Sequence, residues 1–191
     1  MKKHLKDQAG QTLIEVVVAI GVALVIISSL VALMNASSRR STLARQATQA
    51  SKLAQEGAEI VRNIRDVGGG DVVRVGTSTS NPFCSVSPFC SWNDLYTSTQ
   101  GTRTAFLQKP SDCGVTESWC LVNTQPSYEN TLLGIFNRSV VISDQASASG
   151  TICSDLPLPA TQTKKVTVIV SWHSPIGDQE RKAETCFTKW R

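Results

Sequence analysis

Residues 16–34 are 19 consecutive positions without a charge. Wound as a helix at about 1.5 Å per residue, such a run covers roughly the 30 Å hydrocarbon core of a bilayer. The ten residues at the front of the chain, MKKHLKDQAG, set Lys2, Lys3 and Lys6 against Asp7. An ordinary secretory signal has an apolar core of about 7 to 15 residues followed by small residues at its cleavage site. This run is longer, and Met34-Asn35-Ala36 puts a large side chain at that point. A signal anchor, with the three lysines holding the N-terminus in the cytoplasm by the positive-inside bias, fits both length and charge. It leaves Glu15 unexplained.

Glu15 stands between Leu13-Ile14 and Val16-Val17-Val18, where an unpaired charge in hydrocarbon costs several kcal/mol. A capping box answers part of this, with Thr12 as N-cap and Glu15 three residues on. It does not say why apolar residues begin before the carboxylate.

All seven Pro, all six Cys and all four Trp lie after residue 80, whereas residues 1–67 contain only Gly10, Gly21 and Gly57 as potential breakers. Beyond residue 34 the chain turns polar but keeps helical spacing, with Leu43, Ala47, Ala50, Leu53, Ala54, Gly57, Ile60, Val61 and Ile64 three or four apart. One helix is therefore expected over residues 11–66, about 84 Å if unbroken. Its outer half carries a stripe wide enough to cover a sheet. Gly68-Gly69-Gly70 ends it, and Arg62 and Arg65 suit the negative end of the helix dipole. Arg39, Arg40 and Arg45 read as a solvated face, with lipid headgroups or a partner as the lesser alternative.

Behind the triglycine, residues 71–105 are rich in Ser and Thr and include Asn81-Pro82 and Ser87-Pro88, which reads as irregular connection. Val166, Val168, Val170 and Trp172 alternate with more polar neighbours in a period of two, predicting a strand with one apolar face. Residues 119–123, 132–143 and 183–190 complete an expected set of four strands. Ser174 to Gln179 has the turn chemistry of a hairpin. The fold class expected is α+β, a long N-terminal helix packed on a small antiparallel sheet.

Cys84, Cys90, Cys113, Cys120, Cys153 and Cys186 all follow the apolar run. An even count beyond a membrane implies disulfides, and six cysteines allow 15 pairings. Local bridges Cys84 to Cys90 and Cys113 to Cys120, with Cys153 to Cys186, are the pairing expected. The C-x5-C and C-x6-C spacings are unlike zinc sites, and His4 and His173 are the only histidines. No metal or cofactor is expected. His173 reads as a surface residue, and no phosphate loop, G-x-S-x-G or H-E-x-x-H string occurs. The chain reads as not an enzyme. Asn35-Ala36-Ser37 and Asn137-Arg138-Ser139 match the glycosylation sequon, a pattern that chance supplies often. A formal charge of +4 is too small to argue for nucleic acid.

The string Gly10-Gln11-Thr12-Leu13-Ile14-Glu15-Val16-Val17-Val18-Ala19-Ile20 resembles the class III signal of type IV pilins. In that family a short basic leader ends in Gly and the mature helix carries Glu at its fifth position, which is Glu15 counted from Gln11. The family most often begins its mature chain with Phe, and this chain has Gln11. Residues 54–66, AQEGAEIVRNIRD, resemble the end of the long helix in pilin-like proteins of the PilV type. The resemblance implies a leader over residues 1–10, cut after Gly10 by a prepilin peptidase that methylates Gln11. It implies a transmembrane or filament-core helix over 11–34, the outer amphipathic half of that helix over 35–67, an αβ-loop over 68–118 and a disulfide-bearing sheet over 119–191. The implied partners are other pilin subunits in a helical filament, the inner-membrane assembly platform and the lipid bilayer. The N-terminus would be cytoplasmic, with the remainder outside and later in a pilus or periplasmic pseudopilus. Glu15 would pair with the amine freed on a neighbouring subunit. A type II secretion pseudopilin and a non-polymerising single-pass anchor with an outer binding domain are the alternatives. DNA capture is disfavoured, because the cut leaves sixteen basic and fourteen acidic residues, a net of +2.

Overall fold

A computed structural model of the chain describes residues 8–67, 72–74, 89–91, 102–113, 119–143, 152–153 and 163–188, with the backbone alone at 8–12, 72–74, 89–91 and 103. Two compact units are formed, Met1–Gln46 and Ala47–Arg191. Helix α1 (Gln8–Val67) provides the described residues of the first unit and, from Ala47 on, one layer of the second. It begins ahead of Thr12, so Thr12 lies inside the helix and the capping box has no helix start to cap. At its far end it stops one residue beyond the expected Asp66, just before the triglycine.

The second unit is built on a five-stranded antiparallel sheet. Its strands are β3 (Thr102–Gln108), β4 (Cys120–Val122), β5 (Phe136–Ser143), β6 (Thr163–Ser174) and β7 (Gly177–Thr188), in the order β4-β3-β5-β6-β7. A separate two-stranded pair joins β1 (Val72–Arg74) to β2 (Phe89–Ser91). Thr102–Gln108, placed in the 68–118 loop, is an interior strand, and the sheet has five strands where four were expected. The closing strand starts at Gly177, six residues before its expected start, because β6 and β7 remain paired up to Ser174 and Gly177. Residues 132–135, expected as strand, turn instead through Leu133 and Gly134, both at positive φ (50° and 83°).

The alternation in β6 does what its period requires. Val166, Val168, Val170 and Trp172 are buried, and the residues opposite them in β5, namely Ile142, Val140, Arg138 and Phe136, lie on the same face. Ala105 and Leu107 of β3 and Leu121 of β4 extend that face. Across it lie Ala50, Ala54, Gly57, Val61 and Ile64 of α1, spaced four and three apart along one side of the helix. The first three are small, which lets the backbones approach. A Cβ built on Gly57 would stand 2.8 Å from Val168 Cγ1 and 3.2 Å from Arg138 Cδ. The opposite face of the sheet is more polar, with Asn137, Ser139, Thr167 and Ser171 half-exposed. Edge strand β7 shows that side Asp178, Glu180, Lys182 and Glu184, the kind of charge that deters edge-to-edge pairing.

One charged group breaks the apolar face. Arg138 is 1% exposed, and its Nε and Nη2 each donate at 2.7 Å to the carboxylate of Glu129, which is fully buried. Glu129 sits in the short helix α2 (Ser127–Asn130). The Nη1 of the same guanidinium donates at 3.2 Å to the Leu53 carbonyl of α1 and lies 3.8 Å from Glu56. One side chain thus ties α1, β5 and α2 together beside Gly57. At the far end of the helix, Arg65 lies over the Phe187 ring at 4.8 Å and bonds Asp66. It packs as well as complementing the helix dipole.

Removing one member of a buried ion pair strands the other. Arg138→Met is expected to lower unfolding free energy by about 3 to 5 kcal/mol, and Arg138→Met with Glu129→Leu to regain most of that loss. Denaturant unfolding of the full chain in detergent, followed by circular dichroism, checks both.

Candidate functional site

The residues singled out at the front of the chain all fall on α1. Gly10 and Gln11 lie in its opening turns, and Glu15 follows one turn later. The Glu15 side chain is exposed, and among the described residues no donor reaches its carboxylate. Around and beyond it, every large apolar side chain of residues 13–34 is bare, from 52% exposed at Val31 to 73% at Met34. The apolar surface goes all the way round the helix. A helix of that kind is stable only when hydrocarbon or other helices surround it. It is the one candidate membrane span among the described residues, with a mean hydropathy of 3.0.

Inside the run the only polar side chains are Ser28 and Ser29. Their hydroxyls donate to the Val25 and Ile26 carbonyls one turn back, at 2.9 and 2.8 Å. Neither proton is left without an acceptor, which removes most of the cost of placing a hydroxyl in an apolar medium. A Cβ at Gly21 would meet nothing within 4 Å, so none of the described residues requires a glycine there.

In the second unit, the structure joins Cys113 to Cys120 and Cys153 to Cys186. These are two of the three pairings expected. The third, Cys84 to Cys90, is not tested, because Cys84 lies outside the described residues and Cys90 is described by its backbone alone. Cys113–Cys120 ties the residue after Pro110–Asp112 to the first residue of β4 and packs with Val122 and Phe106 as a small apolar cluster apart from the main core. Cys153–Cys186 closes a separation of 33 residues and anchors the 152–153 turn to β7. In the chain-entropy picture a loop of that length is worth about 3 to 4 kcal/mol, against about 2 for the shorter one.

Other polar groups serve the fold. His173 and Asp178 face each other at 2.8 Å across the β6–β7 hairpin, both well exposed. Asn137, first residue of one sequon, is engaged from both sides, by Gln125 at 2.7 Å and Asn130 at 2.9 Å. Among the described residues no three His, Cys, Asp or Glu side chains converge as a metal site. The Tyr128 hydroxyl donates to the Leu107 carbonyl at 3.0 Å and accepts from the Lys109 amide at 2.6 Å, while Lys109 Nζ lies 4.5 Å over the ring. Burial pushes this phenol up from 10 to about 12, against the lowering effect of the Lys109 amide. Sequence reasoning missed both the Tyr128 cluster and the Arg138–Glu129 pair, whose members lie nine residues apart with no pattern to link them.

No family model, no curated protein and no solved structure matches this chain.

A phenol whose folded pKa is raised favours folding fully below its unfolded value, and the contribution disappears as pH climbs from 10 toward 12. Near-ultraviolet titration of the native chain is expected to show one phenol ionising at about 12, and Tyr128→Phe to remove it. Ionisation of Tyr128 at its ordinary value in the folded chain contradicts the assignment.

Proposed function

We propose that this chain is a subunit of a type IV pilus or a related filament, built from an α+β body and an apolar helix that serves first as a membrane anchor and then as filament core. One observation carries the proposal: a helix apolar on every side is interrupted near its start by a single carboxylate with no partner among the described residues. Hydrocarbon alone accounts for the first property and penalises the second. A neighbouring copy supplying a cation accounts for both.

The string from Gly10 to Ile20 supplies that cation. Cutting after Gly10 creates an α-amino group on Gln11, which the same peptidase methylates. The charge then sits at the tip of the apolar helix, four residues before Glu15. In a bundle of such helices the Glu15 carboxylate of one subunit meets the amine of the next. An intact buried pair adds less stability than its Coulomb energy suggests, but removing one partner is costly. The pair therefore fixes the axial register of neighbouring helices. The membrane stores the subunit, the prepilin peptidase and an assembly platform are its processing partners, and the disulfide-braced sheet faces outward. The role is structural, without catalysis or cofactor.

Intact mass of the membrane-extracted protein tests the processing step, with a species beginning at methylated Gln11 expected. A chain retaining residues 1–10 instead indicates a plain anchor. Glu15→Val is expected to enter the membrane normally and to be lost from sheared filaments by at least tenfold. Undiminished recovery of that variant in filaments removes the role assigned to Glu15.

A further inference from the structure

Immediately beyond the apolar run the first unit carries Arg39, Arg40 and Arg45. All three side chains are exposed, and among the described residues none has a hydrogen bond or an ion pair. Unpaired arginines are common on helices, but these occupy an unusual stretch. From Val16 to Gln55 the chain has no Asp or Glu at all. The usual relief for a surface arginine, a carboxylate one turn away, is therefore missing on both sides. Arg62, paired with Glu59 at 2.9 Å, shows the contrast further along the same helix.

Arg39 and Arg40 lie five and six residues past Met34, about 7 to 9 Å at helical rise, which is the depth of the headgroup layer outside a hydrocarbon core. Arg45 lies about 16 Å past Met34. Helical side chains lean toward the N-terminus, so all three bend back toward the apolar run. At about 100° per residue they leave the axis in three different directions and form a ring rather than a stripe. The linking residues Ser37, Ser38, Ser41 and Thr42 are small and polar and leave room for a guanidinium to take a phosphate in its two-pronged fashion.

We propose that Arg39, Arg40 and Arg45 are a collar that binds the phosphates of anionic phospholipids where α1 leaves the bilayer. The collar rests on the reading that residues 16–34 span a membrane. It acquires a specific task if the leader is cut, because Lys2, Lys3 and Lys6 then depart and these arginines become the nearest basic side chains flanking the apolar run. They would set how deep the helix sits.

The full chain, reconstituted in phosphatidylcholine bilayers, is probed with spin-labelled phosphatidylglycerol and spin-labelled phosphatidylcholine. The motionally restricted fraction of each reports lipids held at the protein. A preference of roughly fivefold or more for the anionic lipid is expected, weakening as salt is raised. It should fall to near parity in the Arg39→Gln, Arg40→Gln, Arg45→Gln variant, whose helix content circular dichroism verifies. Equal restriction of the two lipids by the unsubstituted chain overturns the collar while leaving the span intact. A preference that survives the triple substitution also overturns it and assigns the effect to the leader lysines. No restricted population with either lipid means that the helix is not in the bilayer, and the spanning reading fails before the collar is tested.

Discussion

Close approach between a helix and a sheet is the constraint from which the second unit follows. Gly57 has no side chain because Val168 occupies the space, and the alanines one and two turns earlier keep the helix close along that side. So short a separation leaves little room for error in register. Arg138 supplies the register mark, since its guanidinium meets Glu129 and the Leu53 carbonyl together only when α1, β5 and α2 are seated correctly. Apolar packing provides most of the driving force, about 1.5 to 3 kcal/mol for each large side chain fully buried. It is tolerant of sliding, whereas the ion pair is not.

What could be read beforehand was whatever repeats with a period. Val166, Val168, Val170 and Trp172 announced the buried face of β6, and the three-and-four spacing from Ala50 to Ile64 announced its cover. Strong local chemistry was also legible, as in the turn ahead of Gly177, whose φ is 111°. Strand β3 was not legible. Only Ala105 and Leu107 mark its inner face, Phe106 points the other way, and Ser- and Thr-rich neighbours submerge so weak an alternation. The Arg138–Glu129 pair was hidden for a different reason. A charged residue in a strand pattern ordinarily signals the solvent face, and nothing local to Arg138 announces that a carboxylate nine residues earlier will be folded against it.

The front of the chain shows the reverse relation between sequence and structure. There the string around Gly10 and Glu15 is the informative part, and the fold adds what the string lacks, namely that the described residues offer the carboxylate no partner and the apolar surface no cover. An apolar surface of this extent is stable only against hydrocarbon or other helices.

Ser28 and Ser29 bear on how such a rod changes its surroundings. Because each hydroxyl has already spent its proton on a carbonyl one turn behind, the middle of the helix makes no polar demand on whatever lies beside it. Moving it from acyl chains into contact with other helices breaks no hydrogen bond and exposes none. The hydroxyls of the shaft therefore favour neither setting over the other.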